Sequence, residues 1–157
     1  MPRLLVPEAF HPILQFRYQV TTSKLAGAQF YVKSAQQPQA DNAPVTVEYV
    51  NSYFKVKGKT RWNDITLSFY NFEGITIQQL WGYFQDHQLV PTAIDSYAPT
   101  YKHDLKLQLL SPAEAPITTW TLVGAFYTSV NWGEHDRGTD DVSTAEVAIS
   151  YDYAILG

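Results

Sequence analysis

Three stretches of the chain place large apolar residues at every second position, and this constrains the fold more than any other feature. Ile65, Leu67 and Phe69 are spaced by Thr66 and Ser68, and Tyr70 follows. Leu105, Leu107 and Leu109 are spaced by Lys106 and Gln108. Val147, Ile149, Tyr151, Tyr153 and Ile155 alternate with Ala148, Ser150, Asp152 and Ala154. Successive side chains of a strand point to opposite faces, so a period of two marks a strand with one buried face. Weaker segments of the same kind at 14–22, 28–34, 45–57 and 119–128 bring the expectation to about seven strands, antiparallel because the connections are short.

One segment has a different period. Ile77, Leu80, Trp81 and Phe84 fall at i, i+3, i+4 and i+7, one face of a helix. Thr76 followed three residues later by Gln79 fits a capping box, in which each side chain satisfies the other residue's backbone donor. Gly82 inside this helix costs about 1 kcal/mol against alanine, so the helix must draw on packing. The expected fold is mainly β: an antiparallel β-sandwich or barrel with one packed α-helix at about residues 76–88. Its expected core is Trp62, Ile65, Leu67, Phe69, Ile77 and Leu80, joined by Trp81, Phe84, Trp120, Leu122, Val147 and Ile149. The breaks between periodic segments lie at 36–44, which is polar with two prolines, at 91–101 and at 131–143.

The 157 residues fit one domain, 1–157, with residues 1–12 as an N-terminal arm that reads either as a disordered tail or as a segment laid across a neighbouring subunit. The 11 Tyr, 8 Phe and 4 Trp favour strands and protein interfaces. No cysteine is present, which excludes a disulfide framework, a thiolate metal site and a cysteine nucleophile. The N-terminal apolar run is too short for a signal-peptide core, and no run approaches a membrane helix, so the chain reads as made in the cytoplasm.

The net charge of −4 is concentrated in one place. Residues 131–146 hold Glu134, Asp136, Asp140, Asp141 and Glu146 against Arg137 alone, and the other ten acids and ten bases cancel. On the other side of the ledger, Lys55, Lys57, Lys59 and Arg61 lie at spacing two, so a continuous strand puts all four on one face. The stripe reads as a solvated strand face, as a contact with the acidic segment of a neighbouring subunit, since opposite patches fix register and steer association, or as a surface facing nucleic acid. There is also a parity conflict: Trp62 shares the parity of Phe54 and Val56, whereas Ile65 and Leu67 share that of the basic stripe. The apolar face must switch between Val56 and Ile65, and Gly58 supplies a turn or a bulge.

No residue pattern nominates an enzyme. Glu134, His135 and Asp136 superficially resemble a ligand cluster, but neighbours in a loop rarely converge on one ion, and His11, His87 and His103 have no suitable spacing. A nucleophile elbow, a phosphate loop and a dinucleotide fingerprint are all missing from the sequence. No catalytic residue, metal or cofactor is expected. Trp132, between Asn131 and Gly133, is expected at the surface as an interface anchor. A sugar platform is the alternative, in a carbohydrate-binding β-sandwich.

Two stretches resemble a known family. The first is Tyr53-Phe54-Lys55-Val56-Lys57-Gly58-Lys59-Thr60-Arg61-Trp62-Asn63-Asp64-Ile65-Thr66-Leu67-Ser68-Phe69. The second comprises Trp120-Thr121-Leu122-Val123-Gly124-Ala125-Phe126, then Val130-Asn131-Trp132-Gly133, then Ala145 to Tyr153. Their order and spacing resemble the tail-tube proteins of contractile-tailed, T-even-like bacteriophages from about residue 45 onward. The resemblance implies a virion tail protein whose hexameric rings join their sheets into one barrel. The rings stack into a hollow tube inside a contractile sheath, and DNA passes through the lumen. It also implies the sheath, a baseplate tube initiator and a tape-measure protein as partners, and neither cofactor nor catalytic residue. The same fold serves tubes of type VI secretion and of extracellular injection systems, so a tube or initiator of such a machine is an alternative. The inter-subunit candidates are Lys55, Lys57, Lys59, Arg61, Trp132, Glu134, Asp136, Asp140 and Asp141.

Overall fold

A computed structural model describes residues 13–23, 32–72, 76–89 and 92–157. The N-terminal arm at 1–12 and the side chain of Thr76, and with it the capping box, lie outside the described residues. In chain order the elements are β1 (Tyr18–Thr22), β2 (Val32–Ala35), β3 (Gln39–Tyr49), β4 (Ser52–Asn63), β5 (Ile65–Tyr70) and α1 (Thr76–His87). There follow β6 (Gln88–Leu89), β7 (Ile94–Asp95), α2 (Ala98–Tyr101), β8 (His103–Leu110), β9 (Pro116–Asn131), β10 (Thr144–Ser150) and β11 (Tyr153–Leu156). The protein is mainly β, with every strand pair antiparallel.

Seven strands form one sheet in the order β1-β8-β9-β10-β5-β2, with β11 paired to β9. The sheet curls until its ends meet, where the Tyr18 hydroxyl on β1 donates to the Val32 carbonyl on β2 at 3.4 Å. Strand β9 makes this possible. Its first part pairs with β8 and β11, its last part with β10; it carries two bulges against β8 and one against β10, while its pairing with β11 is regular. A bulge adds one residue on one strand and bends it. At the bulge opposite His103–Leu105, Gly124 takes φ +68°, and a Cβ there would overlap the Asp152 carboxylate. Asp152 is held by Lys102, whose ammonium lies 2.9 Å and 3.1 Å from its two oxygens.

The alternation is realised in cross-strand pairs. Ala145, Val147 and Ile149 on β10 face Phe69, Leu67 and Ile65 on β5, and all six are buried. Val20 on β1 faces Leu107 on β8, and Leu105 faces Leu122 on β9. Helix α1 adds Leu80 and Tyr83, both about fully buried. Its inward face is therefore Leu80, Tyr83 and His87 rather than the expected stripe: Ile77 is 44% exposed, Trp81 41% exposed and Phe84 only half-buried. A tyrosine can bury its ring if its hydroxyl finds a partner, so the Tyr83 face wins the core. Trp62 and Trp120 are half-buried and pack against the core from its edge.

Five further expectations are corrected. The segment 45–57 is not one strand but a hairpin, turning at Val50 and Asn51. The segment 36–44 is irregular only before Gln39, because Asp41 and Asn42 accept side-chain bonds from Asn63 and Thr60 across the hairpin, each at 2.6 Å. The last alternating run breaks at Tyr151 and Asp152 into β10 and β11, and the stretch 91–101 contains β7 and the one-turn α2. Strand β1 begins only at Tyr18, after a turn at Gln15 and Phe16.

Candidate assembly surfaces

The hairpin of β3 and β4 is a separate two-stranded sheet, and every residue of β3 and most of β4 is exposed. Its alternation does not face the core. Val45 pairs with Val56 and Val47 with Phe54, which makes one face of the hairpin apolar; Thr46 pairs with Lys55 and Pro44 with Lys57 on the other. These apolar residues are 38–53% exposed. Exposed apolar surface of this continuity marks an interaction site rather than a solvated loop.

Gly58 and Lys59 together oppose Ala43, a β-bulge on β4. A Cβ at Gly58 would overlap the Ala43 carbonyl, so the close approach needs glycine. The extra residue reverses the parity of everything beyond it. Arg61 pairs with Asp41, whose parity on β3 is that of Val45, so Arg61 shares the apolar face. Lys55 and Lys57 lie on the opposite face. The basic stripe expected on one face is thus divided between two. Trp62 likewise moves to the face of Lys57, where it turns inward onto Tyr151 at 5.9 Å between ring centroids.

A second surface is built on α1 and the end of β9. Trp81 stacks on Phe84 at 5.6 Å and meets Trp132 at 6.1 Å; Phe84 also packs on Tyr127 and Trp132. Trp132, expected at the surface, is half-buried by these rings. Gly133 directly after it takes φ +90° and donates its N–H to Asn131 Oδ1 at 2.9 Å, turning the chain into the acidic segment. Glu134, Asp136, Asp140 and Asp141 are all exposed there, and the Asp136 carboxylate accepts the Gly138 N–H at 2.8 Å. A concave surface runs along Asn131, His135, Asp141 and Thr144. Among the described residues no group of three or more His, Asp or Glu is arranged to hold a metal ion.

Beneath the aromatic surface, Tyr83 joins two histidines. His103 Nδ1 faces the Tyr101 carbonyl at 3.1 Å and must carry a proton to donate, which leaves Nε2 to accept the Tyr83 hydroxyl at 3.4 Å. His87 Nδ1 lies 3.1 Å from the Tyr83 carbonyl, and its ring stacks on Tyr101. Burial and the nearby Tyr127 hydroxyl push the Tyr83 hydroxyl well above its ordinary range, so it stays protonated as a donor. Sequence reasoning missed Tyr83. Its only signal was the i, i+3 spacing from Leu80, and the neighbouring apolar stripe obscured that.

No family model matches the chain, and no curated protein matches it by sequence. Solved structures do match, along nearly the whole chain. The anti-feeding prophage tube-terminating cap superposes with a TM-score of 0.77 at 21% identity, covering 94% of this chain and 92% of the cap. The sheath/tube terminator of an extracellular contractile injection system, PVC, gives 0.77 at 22% identity, over 95% of this chain and 99% of that one. The chain has the tail-tube fold. The tube of the same PVC particle, in its sheath–tube complex, gives a TM-score of 0.72 at 22% identity, over 95% and 93% of the two chains. The tail-tube fold extends to Hcp1 from Flavobacterium johnsoniae, at 0.52 and 16% identity, over 90% and 95%.

Proposed function

We propose that this protein is a structural subunit of a contractile tail-like machine, assembling by itself into stacked hexameric rings that form a hollow conduit inside a sheath. The observation that carries this reading is the end-to-end superposition on both the tube and the terminator of one contractile injection particle, with TM-scores of 0.72 and 0.77. The open hairpin supports it, since β3 and β4 pair with no other strand among the described residues. An exposed edge is a hazard in a monomer, whereas in a ring each edge pairs with the next subunit, and such head-to-tail contacts close when the rotation fits. Its partners are other copies of itself, the sheath, a baseplate initiator and a tape-measure protein. In a phage tail the conduit passes DNA; in an injection system it passes other cargo. The role proposed is structural rather than catalytic.

A second reading is favoured by one observation: the cap and the terminator superpose at 0.77, above the tube at 0.72. A terminator closes a tube with a single ring and does not extend it. Negative-stain electron microscopy of the purified chain, with light scattering on the same sample, separates these outcomes. Stacked rings with a central hole are expected for a tube subunit, and single rings at every concentration for a terminator. A protein that stays monomeric up to millimolar concentration overturns both.

A further inference from the structure

The hairpin and the α1 surface are each half of a contact that the described residues of one copy do not complete. The hairpin offers an apolar face of Val45, Val47, Phe54 and Val56, with Lys59 and Arg61 on the same side beyond the bulge. The α1 surface offers exposed Ile77 and Trp81 beside an acidic segment carrying a net −4 over residues 131–146. One surface is apolar and net basic, with Lys59 and Arg61 against Asp41 on the same face; the other is apolar and acidic. The other face of the hairpin is tied at its base to its own barrel through Trp62 and Tyr151. Only the face with Arg61 is open along its length. At about 3.3 Å per residue, a hairpin arm of this kind reaches roughly 35 Å, enough to cross onto a neighbouring subunit.

We infer that a second copy of this chain seats its α1 surface, Ile77 and Trp81, against the apolar face of this hairpin, with Lys59 and Arg61 paired to the acidic segment that follows Trp132. Lys55 and Lys57 take no part in this contact, because the Gly58 bulge turns them to the other side. The inference rests on the self-assembly proposed above. It adds which surfaces meet and divides four similar-looking cations into two pairs with different roles.

Two double variants of the full chain test the division. Lys59→Glu with Arg61→Glu is expected to weaken self-association about tenfold or more, since like charges then face each other across the contact. Lys55→Glu with Lys57→Glu is expected to leave it within about twofold. Adding Asp136→Lys and Asp140→Lys to the first pair should restore association. All these positions are exposed, and a melting curve for each variant controls for folding. Equal loss in both pairs, or a greater loss with Lys55 and Lys57, overturns the inference.

The natural lack of cysteine allows a second, independent test. Gln85, one turn beyond Trp81 on α1, is replaced by cysteine in one sample. Val47→Cys or Thr46→Cys is placed in the other, on opposite faces of β3. A short bis-maleimide should cross-link Gln85→Cys to Val47→Cys and not to Thr46→Cys. If rings form but the cross-link follows Thr46→Cys or neither, the contact is wrong and the assembly reading stands. If the natural chain never associates, both fail together.

Discussion

Strands β5 and β10 and the hairpin of β3 and β4 share one sequence pattern but have opposite fates. In the first pair, Ile65, Leu67 and Phe69 meet Ile149, Val147 and Ala145, and every one of them is buried. In the second, Val45 and Val47 meet Val56 and Phe54, and all four stay exposed. A period of two states that one face of a strand needs a cover. It does not state whether the cover comes from the same chain. In the barrel it comes from α1 and the curled sheet; in the hairpin the described residues of one copy supply none. That contrast is the physical basis for reading the hairpin as an assembly element.

The comparison can be broken most directly by truncating one residue from each region. Leu67→Ala removes a fully buried side chain and is expected to cost about 2–5 kcal/mol of folding stability. Phe54→Ala should change monomer stability by less than about 0.5 kcal/mol while weakening self-association. Denaturant unfolding and light scattering on both variants check this. If Phe54→Ala destabilises the monomer as Leu67→Ala does, the hairpin is covered within its own chain.

A smaller effect is expected where β9 bends to let the barrel close. Gly124→Ala places a Cβ against the Asp152 carboxylate at φ +68°, and a strained position of this kind costs about 1–3 kcal/mol. Denaturant unfolding measures it, and no loss of stability would mean that the bend does not depend on this residue.

Tyr83 sharpens the account of the inner face of α1. Its hydroxyl pKa is raised in the folded state by burial and by Tyr127. The unfolded chain therefore ionises first, and stability should fall as the pH rises past the ordinary value of 10.0. Tyr83→Phe should cost about 1 kcal/mol near neutral pH and flatten that alkaline loss. A pH series of melting curves for both proteins reads the difference.

The smallest effect belongs to Gly82, where an added Cβ meets nothing within 4 Å. Gly82→Ala should stabilise by up to about 1 kcal/mol, visible as a raised melting temperature. A loss of stability would show that the outer side of α1 is more constrained than its exposure implies.

Much of the barrel was legible because its strands carry their own period. Even the bulge announced itself, since Phe54 and Val56 conflict in parity with Ile65 and Leu67 across Gly58. The hairpin turn was hidden, because Val50 and Asn51 carry no Gly or Pro, and Val50, a β-branched residue, takes φ +39°. The helix face was misread because two apolar stripes compete on α1, and Tyr83 counts as polar by its hydroxyl and apolar by its ring. The charges of the candidate surfaces were plain, but their faces were not. The spacing of two reads as one continuous strand through all four cations, but the one residue inserted at Gly58 moves Arg61 away from Lys57.

Amide hydrogen exchange of the full chain, below and above the concentration at which it associates, tests the central claim most directly. The account predicts that amides of β5 and β10 exchange slowly in both states, while those of β3 and β4 exchange fast in the dilute protein and become protected in the assembly. A hairpin as protected as the barrel in the dilute protein, or still unprotected in the assembled one, would contradict it.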